Sequence, residues 1–237
     1  MVEQHGSEPA IAVVTGAGSG IGASVVTALA NRGYLVTGLD REFASDAGRA
    51  EISQAVCDVR DAAECAAVID GLPGHIDVLV NAAAVRPECP LLDTDLAAWR
   101  TCLDVNLTGT FIMMRAVASR MRKQNSSCIV NVSSAAAYGK KGLSAYGASK
   151  AGMISLTMTA AQELGSMGIR VNAVLPGTTA TRMLDEVGMT IDTPSPRNLS
   201  GYPMPPDSVA ETIVSSLIEN TQVTGAILPV GLLPAEW

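Results

Sequence analysis

Seven short runs of apolar, largely β-branched residues punctuate the chain: AIAVVT (Ala10–Thr15), LVTGLD (Leu35–Asp40), EISQAVCDV (Glu51–Val59), IDVLVNA (Ile76–Ala82), CIVNVSS (Cys128–Ser134), IRVNAVLP (Ile169–Pro176) and GAILPV (Gly225–Val230). Apolar runs with little polar alternation are the pattern of strands buried on both faces. Between them lie segments with helical spacing: Gly20–Arg32, Asp61–Gly71, Asp95–Lys123, Tyr146–Met167 and Asp207–Glu219. Strands alternating with helices predict βαβ units, hence an α/β fold with a doubly wound parallel sheet of about seven strands and helices on both faces. No repeat or linker interrupts the pattern, so residues 1–237 read as one domain, with residues 1–9 flexible.

One segment breaks the rhythm. Residues Arg182–Pro206 hold five prolines and three methionines between the sixth strand and the last helix. A loop this long in a compact domain is usually functional or disordered. It reads either as a substrate-covering flap, with Met183, Met189 and Met204 as adaptable apolar surface, or as a loose surface loop.

Composition narrows the class. With 237 residues, 48% of them hydrophobic, the chain can bury a sizeable core and is not globally disordered. Its net charge is −7, and the one short basic run, Arg120–Lys123, reads as the positive end of a helix. Nucleic acid is therefore disfavoured as a partner. No apolar run is long enough to span a bilayer, and the first residues lack the pattern of a signal peptide, so a cytoplasmic protein is expected. Five scattered cysteines read as reduced core thiols, with no metal site. Only His5 and His75 are available, which argues against a histidine-based hydrolytic triad.

The candidate chemistry begins at TGAGSGIG, Thr15–Gly22, between the first strand and the first helix. Gly16 and Gly20 permit a tight turn, Gly22 lets helix pack on strand, and exposed N–H groups then face an anion such as a pyrophosphate. The absence of a G-K-[ST] ending argues against a nucleotide-hydrolysing loop. Asp40 ends the second strand, where a carboxylate would accept hydrogen bonds from ribose hydroxyls and repel a 2′-phosphate. This favours NAD over NADP, although the adjacent Arg41 offers a phosphate grip. Tyr146 and Lys150 stand at i and i+4 of one helix and share a face. A nearby ammonium favours phenolate, so the pair is a candidate proton donor and acceptor.

The ordered set TGAGSGIG, VNAAA, VNLTG, IVNVSS, YGASK and LPGTTAT resembles the short-chain dehydrogenase/reductase family over Ala10 to Val230. The resemblance implies a Rossmann-type fold and a catalytic tetrad. Tyr146 would exchange the proton with the substrate oxygen, and Lys150 would bind the nicotinamide ribose and depress the phenol. Asn106 would hold a water linking the lysine to solvent. A serine would orient the substrate oxygen: counting from the strand gives Ser134, and counting back from Tyr146 gives Ser133. Ser134 is preferred, because loops lose residues more readily than buried strands. The implied cofactor contacts are Gly16, Ser19, Gly20, Ile21, Gly22, Asp40, Asp58, Val59, Asn81, Ala83, Tyr146, Lys150, Pro176, Gly177, Thr179 and Thr181.

Two departures from the family pattern stand out. Ala82 and Ala84 replace an amide and a glycine, and LPVGLLPAEW replaces a common Asp-Gly-Gly ending. The expected activity is NAD(H)-dependent interconversion of a secondary alcohol and a ketone on a small-molecule substrate. Alternatives are a cyclic cis-diol dehydrogenase like those acting on dihydrodihydroxybenzoate, or a non-catalytic NAD-binding redox sensor. The family implies a homo-oligomer, tetramer or dimer, and Met113, Met114, Met153 and Met158, beyond the needs of one sheet face, are candidate contact residues or equally core residues. Substrate choice is expected to rest on Arg182–Pro206 and the stretch around Val85–Leu92.

Overall fold

A computed structural model describes residues 9–44, 48–121 and 127–233. The expectation for residues 1–9 therefore lies almost wholly outside the described residues. Seven strands form one sheet: β1 (Ile11–Thr15), β2 (Leu35–Asp40), β3 (Ile52–Val56), β4 (Val78–Asn81), β5 (Ser127–Val132), β6 (Ile169–Pro176) and β7 (Ile227–Val230). Their spatial order is β3-β2-β1-β4-β5-β6-β7, and every pairing is parallel. The fold is the Rossmann-type doubly wound sheet that the apolar runs predict.

Neighbouring residues of a strand serve opposite faces, so each run must be apolar throughout. Ala12 and Val14 of β1 join Val78, Val80, Val130 and Val174 under α1 (Gly20–Ala30) and α7 (Pro206–Thr212). Val13 joins Leu79, Ile129 and Val171 on the other face. That face is covered by α2 (Ala62–Gly71), α4 (Gly109–Ala118) and α5 (Ser144–Gly165).

The predicted helix Asp95–Lys123 is not continuous. It divides into α3 (Leu96–Leu103), a π turn at Asp104–Thr108, and α4. A wide turn of this kind often marks a functional position, and here it turns Asn106 into the interior, fully buried. Asp207–Glu219 likewise becomes α7 followed by a π turn, Ile213–Ile218. Of the basic run Arg120–Lys123, Arg122 and Lys123 lie outside the described residues, and Arg120 stands beyond α4, which stops at Ala118. Arg120 instead donates to the carbonyls of Ile69, Asp70, Leu72 and Gly74 at the C-terminal end of α2. Arg170 does the same for Leu217, Ile218, Asn220 and Val223. Both meet the negative end of a helix dipole and its unpaired carbonyls.

Of the four methionines open to either a subunit contact or the core, Met113, Met114 and Met153 are buried in this chain's own core. Only Met158 is exposed, with Phe111 also presenting apolar surface on α4. No helix among the described residues is long and apolar enough to cross a membrane.

All five cysteines are unpaired, and Cys57, Cys65, Cys102 and Cys128 are buried. Burial raises each of these thiols, Cys65 to about 12 and Cys128 to about 11. The folded chain therefore holds protons that the unfolded chain releases above pH ~8.5, so their contribution to stability is complete below that pH and is lost as pH rises towards 11–12. Lys150, lowered by burial, acts in the opposite sense but is one group against four. Stability to urea is expected to fall between pH 8.5 and 11, by up to ~1.4 kcal/mol per pH unit for each such thiol. Cys65→Ala and Cys128→Ala should each flatten that slope, and an unchanged slope in both would show that other groups control it.

Candidate active site

The sheet order reverses between β1 and β4, because the chain winds outward through β2 and β3 and then returns to the other side. A crevice opens at the carboxyl ends of strands at such a reversal. Here it is a cavity of about 580 Å³. Every strand from β1 to β6 delivers residues to its wall: Gly16 after β1, Asp40 closing β2, Asp58 after β3, Ala82–Ala84 after β4, Ser133–Ser134 after β5, and Pro176–Gly177 at β6.

The floor of the reversal is closed by Thr15. Its hydroxyl accepts hydrogen bonds at 3.2 Å from the N–H groups of both Ala82 and Ala83. Gly16, at φ +67, passes so close that a Cβ there would stand 2.6 Å from the nitrogen of Ala83. Glycine is required both by the backbone angle and by the lack of space. Asp40 holds the glycine turn from the other side: its Oδ2 accepts from Gly18 N–H at 2.9 Å, and its Oδ1 accepts from Arg41 N–H at 2.7 Å. Asp58, clamped by the guanidinium of Arg60, is pulled down to about 2 and is ionised across the working range. The donor set at this end, with open backbone N–H groups and a carboxylate that retains lone pairs, fits the pyrophosphate and ribose of a dinucleotide.

At the other end, α5 carries Tyr146 and Lys150 onto the wall. Gly147 makes this possible, since a Cβ there would meet the Ala136 carbonyl oxygen at 2.8 Å. The helix can therefore lie against the turn Ala135–Tyr138, which Ser134 caps by accepting from Ala136 N–H. The same serine side chain lies beside the phenol of Tyr146 and favours its ionisation. Ser133 faces the other way, and its hydroxyl donates to the main-chain oxygen of Lys150 at 2.9 Å. Of the two serines, Ser134 is the one that acts on the phenol.

Lys150 is almost completely buried, and its ammonium donates to Val132 O at 2.7 Å. Two further donors remain for a ligand. Burial lowers this lysine to about 8. The phenol of Tyr146 is raised above its ordinary value by burial, against the opposing effects of nearby Ser134 and the charge of Arg86. This corrects the expectation that Lys150 depresses it. The ammonium stands 5.6 Å from the ring centroid and is spent on Val132, so loss of water outweighs it.

Two expected site residues stand behind the wall rather than on it. Asn81 points into the sheet, donating to Asn131 Oδ1 at 2.9 Å, so it is not placed as a ribose contact. Asn106 is likewise occupied: its Oδ1 accepts from Val85 N–H at 2.8 Å, and its Nδ2 donates to Val85 O and Ser149 Oγ at 3.0 Å. Its side chain ties down the chain after β4 instead of standing ready for a water. All other expected cofactor contacts line the cavity, together with Arg41, Arg86, Lys140, Leu143 and Arg197. Sequence reasoning assigned no role to Arg86, although it fell within the stretch expected to govern substrate choice.

The sequence profile of the short chain dehydrogenase family matches residues 10–192. The chain belongs to this family. Its members are oxidoreductases acting on CH–OH groups with NAD or NADP. A cis-4-hydroxycyclohexanecarboxylate dehydrogenase of Sinomonas cyclohexanicum is 39% identical over 236 residues, covering 93% of this chain and 94% of that one. A 2,3-dihydro-2,3-dihydroxybenzoate dehydrogenase of Escherichia coli is 37% identical over 174 residues, covering 72% of this chain and 69% of its own length. Among solved structures, a short chain dehydrogenase/reductase family oxidoreductase from Burkholderia thailandensis superposes with a TM-score of 0.86 at 32% identity, covering 95% of this chain and 92% of its own.

Because Asn106 holds both main-chain polar groups of Val85, Asn106→Ala strands two partly buried backbone groups. It is expected to lower stability by ~1–3 kcal/mol in urea titration. A loss below ~0.5 kcal/mol would show that Val85 finds other partners.

Proposed function

We propose that this chain interconverts a secondary alcohol and a ketone with NAD(H), Tyr146 carrying the proton. The observation that supports this best is that Ser134 and Tyr146 share the wall of the cavity whose far end is closed by the Asp40 carboxylate. The dinucleotide, when bound, supplies or accepts the hydride. Gly16, Ser19, Gly20, Ile21 and Gly22 would line its phosphates, Asp40, Asp58, Val59 and Ala83 its adenosine, and Lys150, Pro176, Gly177, Thr179 and Thr181 its nicotinamide half. Ser134 orients the substrate oxygen, and Tyr146 gives or takes the proton there. The segment Arg182–Pro206 supports exclusion of water: Met183, Leu184 and Met189 face the cavity, and Asn198 binds the segment to Thr178 through both its amide atoms.

The two relatives named act, by their names, on ring-bearing hydroxy compounds, which supports a cyclic secondary alcohol here. The five unpaired thiols support a cytosolic location. A homo-oligomer remains part of the proposal, carried now by family membership and the exposed Phe111 and Met158 rather than by the buried methionines.

A raised phenol remains protonated at neutral pH, so it is ready to donate and reluctant to accept. Ketone reduction is expected to be nearly flat with pH up to about 9, while alcohol oxidation climbs through the alkaline range. Parallel pH–rate profiles for both directions check this, and an oxidation rate already at its plateau at pH 7 would contradict it.

Tyr146→Phe should lower kcat by ~10²–10⁴-fold with dinucleotide binding nearly intact. Ser134→Ala should cost more turnover than Ser133→Ala. Calorimetric titration should show NAD⁺ binding more tightly than NADP⁺. Asp40→Ser should narrow that gap while weakening both, since Asp40 also braces Gly18. A Tyr146→Phe protein with most of its activity, or a wild type preferring NADP⁺, would reject the corresponding part of the proposal.

A further inference from the structure

The substrate half of the cavity has a distinct charge pattern. Its acidic lining residues, Asp40 and Asp58, lie at the adenosine end, whereas Arg86, Lys140 and Arg197 line the rest along with Lys150. The chain as a whole carries −7. A cluster of cations in a low-dielectric cleft of an acidic protein is a focused positive field. Lys140 and Arg197 are exposed at the rim, and none of the described ion pairs includes either of them.

Arg86 is different in kind. Its side chain is 10% exposed, and its Nη2 pairs with Glu88 Oε2 at 2.7 Å. Its Nη1 is buried with no hydrogen-bond partner. A guanidinium held in so dry a place is poorly solvated, and an anion in the cavity beside it stabilises its charge. The position is also held rigidly. Val85, immediately before it, is clamped by Asn106 through both main-chain groups. Cys89, just beyond Glu88, donates to Gly142 O at 2.8 Å, next to the start of α5. The charge of Arg86 reaches the phenol of Tyr146, which places the guanidinium near the reacting end of the cavity.

Resting on the alcohol–ketone reading above, we infer that the substrate is a hydroxy acid and its oxo acid, with the carboxylate drawn to the charge of the Arg86 guanidinium while the carbinol or carbonyl oxygen meets Tyr146 and Ser134. Arg86 is thus a specificity residue, and Lys140 and Arg197 draw the anion to the mouth. A monoanionic carboxylate suits the site better than a phosphate. Glu88 occupies Nη2 and Nη1 is enclosed, so no two-pronged fork is offered, and the negative charge of Glu88 opposes a dianion.

The test uses the full chain with NAD⁺ and a panel of cyclic and open-chain hydroxy acids, each matched with its neutral methyl ester. The acids should be favoured by ~10–100-fold in kcat/KM, mainly through KM, as expected for one attraction between opposite charges. Arg86→Gln should reduce that acid-to-ester ratio at least tenfold, and Arg86→Lys should keep much of it. A second measurement does not depend on turnover: calorimetric binding of cyclohexanecarboxylate, its methyl ester and cyclohexyl phosphate to the NAD⁺-loaded protein. The carboxylate should bind best and lose its advantage in Arg86→Gln. If no acid outperforms its ester, if Arg86→Gln keeps the preference, or if the phosphate binds more tightly than the carboxylate, the inference is wrong. A protein that oxidises the neutral esters equally well would overturn only this inference. Carboxylate binding at Arg86 without any NADH formation across the panel would overturn the alcohol–ketone reading instead.

Discussion

The reversal of strand order between β1 and β4 is the constraint on which the rest depends. Parallel strands need crossover helices, and helices winding in opposite directions from a common centre leave the carboxyl ends of the two central strands without a cover. Thr15 keeps that gap from opening through the sheet by binding Ala82 and Ala83 with one hydroxyl. The gap itself becomes the cavity. Once it exists, the residue following each strand is aimed into it by register alone, and the site needs few special devices beyond glycine where two backbones meet.

The second requirement is that polar groups buried around this gap be matched, because unmatched ones are costly. Most are. Ser133 spends its hydroxyl on Lys150 O, Lys150 its ammonium on Val132 O, and Asn106 its amide on Val85 and Ser149. These bonds join β5, α5 and the chain after β4 into one frame. The exceptions around the cavity, Oδ1 of Asn81, Nη1 of Arg86 and the hydroxyl of Ser195, are enclosed atoms that the frame leaves without a partner.

The sheet was legible in the sequence because a strand buried on both faces has no polar alternation to confuse it, and β2 and β6 fall on their predicted bounds. The glycine turn, Asp40, Tyr146 and Lys150 were legible because their spacing is itself the chemistry. The failures share one cause: they concern which way a side chain turns. Asn81 and Asn106 were placed correctly along the chain, yet Asn81 faces Asn131 and Asn106 faces Val85, and nothing in VNAAA or VNLTG reveals that. The same applies to Met113 and Met153, whose helices bury the face that spacing alone could equally assign to a neighbour. The π turn that rotates Asn106 inward is a tertiary bargain with Val85, invisible to local propensity.

Burial lowers Lys150 and raises Tyr146, two shifts of opposite sign with one origin. Removing water penalises charge of either sign, so a dry site holds both groups closer to neutrality than solution would. Dryness strengthens every remaining interaction there, but it also opposes the phenolate that proton transfer must form. The fold answers with fixed partners rather than with solvent. Ser134 and Arg86 lower the phenol from nearby, and Lys150 stands over the ring. None of these offsets burial alone in this state, which explains why the site collects several cationic and hydrogen-bonding groups around one tyrosine. It also explains why Arg86 can serve two ends at once: a cation placed to receive a substrate anion is, at that distance, also a cation that eases ionisation of the phenol.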